Sequence, residues 1–591
     1  MIPEPLEIAA IHAAYRAGTL TPVALVTALL DRMDRYTDKA VFISRPAANA
    51  VIAEATALNL SELNEKSLFG IPFVVKDNID VAGMPTTAAC PEFAYTPALD
   101  AVCVARLRAA GAILLGKTNL DQFATGLNGT RSPYGAPRSV FDANYISGGS
   151  SSGSAVAAGA GLAVFSLGTD TAGSGRVPAA FNNLIGLKPS IGRIPATGVV
   201  PACKSLDCVS VFANCAADAL TVLHAAEGYD AGDAYSRTAT NAALPALPRA
   251  GILRAEDRDF ADDSETAVLY EKALEAAASL GWELVEFNYA PFREIADALY
   301  GSAYVAERLA AIRPFFEAMP DAIHPVVRSI VEGATKFSAA DVFADIYRVK
   351  ALMAEARAQM ANMDILLLPT APTIFTVEAM LAEPIARNAK LGLYTNFVNF
   401  MDLAGIALPA GFRPDGLPFG VTLIGPCFSE DALAALADSL HVALGAGAGR
   451  TRAIPKTTLS PPAPEATIVV AGAHLSGMVL NHELVTLGAK LVAATTTAPD
   501  YKLFALATTP PKPGLVHTPG FSGTGIAVEL WSISAESLGR FLAGLPAPMG
   551  IGKVTLADGS THPGFLCEAH ALEGAEDITA HGGWRAYRAH L

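Results

Sequence analysis

Two kinds of residue with chemical use stand out: a lysine that ends an apolar run, and serines gathered in glycine-rich turns. Lys76 directly follows IPFVV at 71–75. Residues 147–159 read SGGSSSGSAVAAG, with five Ser and four Gly in thirteen positions, and a second Gly/Ser turn, DTAGSGR, carries Ser174. A serine hydroxyl is a weak nucleophile at neutral pH, so one that attacks an amide carbon needs a neighbouring base. Lysine serves as that base only when neutral. Its solution pKa of about 10.4 must then fall roughly three units, a differential of about 4 kcal/mol, which burial supplies by disfavouring the ammonium. IPFVV is consistent with such burial. A salt bridge from Lys76 to Asp77 is the competing use of the same side chain.

By composition alone, 147–159 reads as a flexible linker. Its context argues otherwise, because the apolar run AGLAVFSLG follows at once and a further apolar segment lies beyond the second turn. Glycines here permit tight backbone approach, and the serines face a site from anchored loops. The elements around them alternate. IPFVV is a strand candidate, 101–110 a helix, and GAILL at 111–115 a buried strand closing on GKTNLDQFATG. Residues 5–37 and 46–66 have helical spacing, with Thr21 and Pro22 as cap and first-turn pair. After 250 the runs AGILR, WELVEF and MDILLLP alternate with helices at 263–280, 337–363 and 430–444. This rhythm predicts an α/β fold with a central mixed, largely parallel sheet covered by helices.

The stretch TRAIPKTTLSPPAPEA at 451–466 reads as a stiff linker dividing 1–450 from 467–591. The second part holds short strand-like runs (TIVVAGA, AKLVAAT, GIAVELWSI, KVTLADG) and has the size of one small α+β domain. Seven of the eleven His fall in it, a bias toward chemistry of its own. The whole chain has 591 residues, 51% hydrophobic and 17% charged, with a net charge of −15. That balance, with no basic run, argues against nucleic-acid and anionic-membrane binding. No apolar stretch reaches the roughly 18 to 20 residues a membrane span needs. The acidic N-terminal segment lacks signal-peptide character, so a cytoplasmic protein is expected. Seven scattered Cys offer neither a disulfide framework nor CxxC spacing for zinc.

Several motifs occur in order: IPFVVKDNIDVAGMPTTAA, GAILLGKTNLDQFATG, GGSSSGSAVAAGAGLAVFSLGTDTAGSGRVPAA, NNLIGLKPSIGRIP and LPFGVTLIGP. Together they resemble the amidase signature family of serine hydrolases over nearly all of residues 1–445. The resemblance implies the amidase signature fold and a Ser, cis-Ser, Lys triad. In it Ser174 is the nucleophile, Ser150 the bridging serine after a cis peptide from Gly149, and Lys76 the general base. It also implies an oxyanion hole from the backbone N–H groups of Thr171, Ala172 and Gly173 beside that of Ser174. The family usually has Gly-Gly where this chain has Ala172-Gly173, so no positive φ is expected at 172. Asp170 and Arg176 are expected to hold this turn rigid, or else to form a surface ion pair.

An amidase-type domain followed by a small His-rich domain is similar to the branch of the family that hydrolyses allophanate, as are KTNLDQFATGLNGTRSPYG and GAHLSGMVLNHEL. That likeness implies a small anionic amide as substrate, ammonia and carbon dioxide as products, and no metal or cofactor. It further implies a γ-glutamyl cyclotransferase-like second domain that assists decarboxylation, with His474 the candidate residue and Glu529 and His517 further ones. Tyr300 and Arg308 are eight residues apart in LYGSAYVAERLAA, on roughly one helical face, and are expected to grip the substrate. A guanidinium fork suits a carboxylate in a net-negative protein. The backbone near Gly126 is a further contact. A homodimer and a separate urea carboxylase acting upstream complete the expectation. Two alternatives stay open: a broad-specificity small-amide amidase, and the glutamine-hydrolysing subunit of a tRNA amidotransferase.

Overall fold

The structure is a computed structural model that describes residues 2–460 and 465–591. It divides into two compact units, Met1–Pro462 and Ala463–Leu591. The linker expected over 451–466 falls partly outside the described residues, at 461–464. Its earlier part is tied to the first unit, since Thr457 N donates to Glu7 at 2.7 Å and Leu459 N to Asp438 at 2.9 Å.

The first unit is built on eleven strands: β1 (Phe42–Ser44), β2 (Pro72–Lys76), β3 (Ile113–Thr118), β4 (Phe165–Asp170), β5 (Ile185–Lys188), β6 (Cys208–Ala213), β7 (Arg249–Leu253), β8 (Glu283–Phe287), β9 (Ile365–Pro369), β10 (Ala404–Phe412) and β11 (Pro418–Gly425). They form one sheet in the order β1-β3-β2-β4-β6-β5-β10-β11-β9-β7-β8. Among the described residues, four neighbouring pairs are parallel and six antiparallel. The sheet is therefore mixed, with a smaller parallel share than the βα rhythm predicts. The reason lies in its centre. There β10 turns straight into β11 through the turn RPDG, closed by Arg413 N donating to Leu417 O at 2.8 Å, and β5 and β6 are also antiparallel. Hairpin partners need no crossover helix, so they escape a search for alternation.

Three parallel neighbours, β3, β2 and β4, carry the chemistry at their C-terminal ends, where crevices form in open α/β sheets. All five residues of β2 are buried, as befits a strand covered on both faces. The Phe73 and Phe165 rings stack at 5.2 Å between β2 and β4. The Ser/Gly stretch is no linker: it runs into a helix, Ser152–Gly159, whose eight residues are all buried. Its small side chains permit close packing. A Cβ on Gly153 would meet the Val41 carbonyl at 2.3 Å, and Ser154 Oγ lies 2.7 Å from Thr118 Oγ1 and donates to Leu167 O at 2.9 Å. Thr21 caps its helix as expected, accepting from Ala24 N at 3.2 Å with Pro22 in the first turn.

The second unit has eight strands: β12 (Glu465–Val470), β13 (Lys490–Thr496), β14 (Tyr501–Leu506), β15 (Lys512–His517), β16 (Ala527–Ser534), β17 (Met549–Thr555), β18 (Thr561–Cys567) and β19 (Glu576–Asp577). They make a five-stranded sheet, β13-β16-β12-β18-β17, and a three-stranded one, β15-β14-β19. Ile468, Val470, Leu503, Leu515 and Trp531 are among its core residues. The four expected runs fall on β12, β13, β16 and β17.

Candidate active site

Lys76 ends β2 with no exposed surface. Its Nζ lies 2.8 Å from Ser150 Oγ and 2.7 Å from Thr169 Oγ1. Among the described residues no carboxylate lies within ion-pair distance of it. Asp77 is occupied elsewhere, with Lys117 Nζ 3.1 Å from its Oδ1 in a fully buried pair, so the competing Lys76–Asp77 bridge is absent. Burial drives the Lys76 pKa from 10.5 down to about 7, against the pull of the more distant Asp121, Asp207 and Asp170. Near neutrality a substantial fraction of the amine is uncharged.

Ser150 follows a cis peptide bond from Gly149. The approach is close on this side too: a Cβ on Gly149 would meet Asp121 Oδ2 at 2.3 Å. Asp121, just beyond β3, organises the facing loop by accepting from Gly129 N at 3.0 Å and Arg131 N at 2.9 Å. Ser174 is buried in the turn after β4, and its Oγ donates to the Gly126 carbonyl at 3.4 Å. No hydrogen bond joins Ser174 to Ser150 among the described residues, so the structure holds one of the two links of the expected relay.

The turn itself is clamped. Arg176 meets Asp170 as a two-toothed fork, Nε at 2.9 Å and Nη2 at 3.0 Å, with both side chains fully buried. This is an interior pair and not a surface one. Burial works against the Asp170 carboxylate, and Arg176, with Lys188 and the Gly175 N–H, more than offsets it, holding the pKa below the ordinary value. Asp170 also accepts from Gly173 N at 2.8 Å and Gly175 N at 3.0 Å. Gly173 therefore departs from the expected oxyanion hole: its N–H is already used. The N–H groups of Thr171, Ala172 and Ser174 make no hydrogen bond among the described residues. Gly173 has φ 128, and a Cβ there would meet Thr395 Oγ1 at 2.4 Å, whereas Ala172 needs no positive φ.

Arg308 is 2% exposed and stands close to this centre. Its Nη2 donates to Tyr300 OH at 2.9 Å, its Nη1 to Thr125 Oγ1 at 3.0 Å, and it lies 4.8 Å over the Tyr300 ring. The two side chains meet, but not on the single helical face expected. Tyr300 closes the helix Ala290–Gly301 and Arg308 lies in Ala306–Ala318, with a break between them. Ser302 Oγ accepts from Tyr304 N, and Ala303 N donates to Asp345 at 2.7 Å, which fixes the break. Thr125 and Gly126 are adjacent, so one short segment touches both the Arg308 guanidinium and the Ser174 hydroxyl.

A profile of the amidase family matches residues 24–434. The chain belongs to the amidase family. A second profile, the allophanate hydrolase C-terminal domain, matches residues 466–589. Urea amidolyase of Lachancea kluyveri is 44% identical over 540 residues, 88% of this chain but only 30% of that protein, so the chain spans about a third of this curated relative. A glutamyl-tRNA(Gln) amidotransferase subunit of Streptococcus thermophilus is 34% identical over 66% of this chain and 86% of its own length. Among solved structures, allophanate hydrolase of Kluyveromyces lactis is similar at 38% identity and a TM-score of 0.74, over 98% of each chain.

Three residues of this centre have places that spacing and composition do not mark, although Thr169 and Asp121 lie within the quoted motifs: Thr169 beside the Lys76 amine, Asp121, and Asp207. Asp207 is half-buried, accepts from Thr171 Oγ1 and from Ala202 N at 2.8 Å, and loss of hydration raises its pKa to about 6 against those bonds. No helix among the described residues of this amidase-family chain is long and apolar enough to cross a membrane.

In the second unit, His474 follows β12 and lines a cavity of about 240 Å³ that Lys512 and Glu483 also line. Its Nε2 lies 2.9 Å from Glu483 Oε2, and its ring stacks on Phe565 at 5.3 Å. Burial lowers its pKa, against the pull of Glu483. Glu529 is committed to structure, binding Ser476 N at 2.8 Å and Arg585 Nη2 at 2.7 Å, and His517 pairs with Asp500 at 2.8 Å outside the cavity wall.

Proposed function

We propose that this chain hydrolyses allophanate, urea-1-carboxylate, to ammonia and carbon dioxide in two stages. Ser174 Oγ turns from the Gly126 carbonyl and adds to the terminal carbamoyl carbon, and its proton passes through Ser150 Oγ to uncharged Lys76 Nζ. The N–H groups of Thr171, Ala172 and Ser174 donate to the oxyanion as it forms. Collapse breaks the C–N bond. The same proton returns through Ser150 to the departing nitrogen, which leaves as ammonia. Water attacks the acyl-enzyme by the reverse relay, restoring Ser174 and releasing a nitrogen that carries two carboxylates.

Loss of one carbon dioxide from that species, with a proton taken up on nitrogen, is the second stage, with the C-terminal unit as its candidate site, and the carbamate left behind takes up a further proton and parts into the second ammonia and carbon dioxide. His474 and Lys512 in one cavity offer a ring donor and a cation to a dianion. In the first unit the substrate carboxylate is met by the Arg308 fork beside Tyr300. The observation that supports the reading most is the Thr125–Gly126 segment, whose consecutive residues bond the Arg308 guanidinium and the Ser174 hydroxyl. A cytoplasmic setting, a homodimer and a urea carboxylase that supplies the substrate belong to the same reading.

The test compares allophanate with a neutral aliphatic amide in an ammonia assay. Arg308→Lys keeps the charge but loses the fork, so kcat/KM on allophanate should fall roughly 100-fold while the neutral amide changes about threefold or less. Equal losses on both substrates, or a wild-type preference for the neutral amide or for glutamine, contradict the assignment.

A further inference from the structure

A cavity of about 270 Å³ has Tyr300 in its wall, together with Arg131, Asn388 and Lys336. Arg131 is 1% exposed. Its Nη1 donates to the Thr125 carbonyl at 2.9 Å and its Nη2 to the Pro384 carbonyl at 2.6 Å, while its Nε is buried without a hydrogen bond. Among the described residues no carboxylate lies within ion-pair distance of it. A buried guanidinium whose hydrogen bonds go only to carbonyls, with Asp121 acting on it from beyond ion-pair distance, is incompletely compensated, and an anion beside it relieves that cost. Asn388 Oδ1 accepts from Leu127 N at 2.8 Å and Asn128 Nδ2 at 2.7 Å, which leaves its own amide N–H₂ as a donor.

Lys336 is exposed and makes no ion pair or hydrogen bond among the described residues. Glu332, the acid nearest to it along the chain, is turned to Arg328 at 2.7 Å. No Asp or Glu lines the cavity, in a chain whose net charge is −15. Positive lining in a negative molecule concentrates anions locally. The inner wall is shared with the centre, since Arg131 and Arg308 both bond Thr125 and Tyr300 belongs to both.

Resting on the function proposed above, we infer that this cavity is the anion antechamber of the first unit. Lys336 gathers the small carboxylate-bearing substrate, Arg131 and Asn388 hold it in transit, and the carboxylate then passes to Tyr300 and Arg308. Lys336 and Arg131 are thus determinants of specificity for substrate charge.

The test is steady-state kinetics of the full chain on allophanate and on a neutral aliphatic amide, at ionic strengths of about 20 mM and about 500 mM. Lys336→Glu should lower kcat/KM on allophanate roughly three- to tenfold at low ionic strength with kcat unaltered, and the gap should close in high salt. Lys336→Met should give a smaller loss. The neutral amide should be insensitive to both changes. Lys272→Glu, the same charge change on the helix Ser264–Ser279 and outside the cavity wall, is the control. Equal effects of Lys336→Glu and Lys272→Glu, or an equal loss on the neutral amide, overturn the antechamber while leaving the proposed function standing. Wild-type protein that ignores allophanate overturns the proposed function itself.

Discussion

Ser174→Ala is expected to lower ammonia release from allophanate by roughly 10⁴- to 10⁶-fold, the scale on which loss of an activated serine acts. The residual rate belongs to the donors and the carboxylate fork, which the substitution leaves in place. The fold should be untouched, because Ser174 Oγ makes a single long bond, 3.4 Å to the Gly126 carbonyl, and the turn is held by Asp170 and Arg176 instead. An unchanged thermal transition together with lost turnover is the expected pair of results. Turnover within about tenfold of wild type would assign the nucleophile elsewhere.

Lys76→Met is expected to reduce kcat by roughly 10³- to 10⁴-fold, the loss of a general base in a fully buried site. Methionine is the informative replacement. It keeps the length of the apolar stem inside β2, whereas alanine would add a cavity to the missing amine. Ser150 Oγ and Thr169 Oγ1 each lose a partner 2.8 and 2.7 Å away, at about 1–3 kcal/mol for each buried group left unsatisfied. A lower melting temperature is therefore expected beside the kinetic loss. Kinetics at a temperature where the variant is fully folded separate the two. A near-normal rate at pH 7 would remove Lys76 from the relay.

Much of this centre is legible in the amino-acid sequence, for reasons that differ by residue. Lys76 stands out because an apolar run with no alternation has to be buried on both faces, and a lysine at its end must go with it. Ser150 and Ser174 are found through motif order, and the cis bond at Gly149–Ser150 comes with that resemblance. The Thr169 contact is invisible because it reaches Lys76 from the neighbouring strand β4, 93 positions away, and that of Asp207 because it closes on Thr171 from 36 positions away. Spacing arguments hold only along an unbroken element. Tyr300 and Arg308 do meet, but across the helix break at Ser302 and not along one helical face, so the helical spacing argument does not account for their contact. The antiparallel centre escapes similarly, since LPAGFRPDGLPFG folds back on itself at a turn and not through a helix.

The central claim is that the base is a buried amine half-uncharged near neutrality, and the pH dependence of kcat/KM for ammonia release tests it most directly. Lys76 must be deprotonated to work and its pKa is about 7, so activity should rise with pH through a single ionisation near 7 and level off above it. The Lys76→Met residual rate should lack that limb. A wild-type profile flat from about pH 5.5 to 8.5, or one that climbs only toward the ordinary lysine range near about 10.4, would contradict the mechanism.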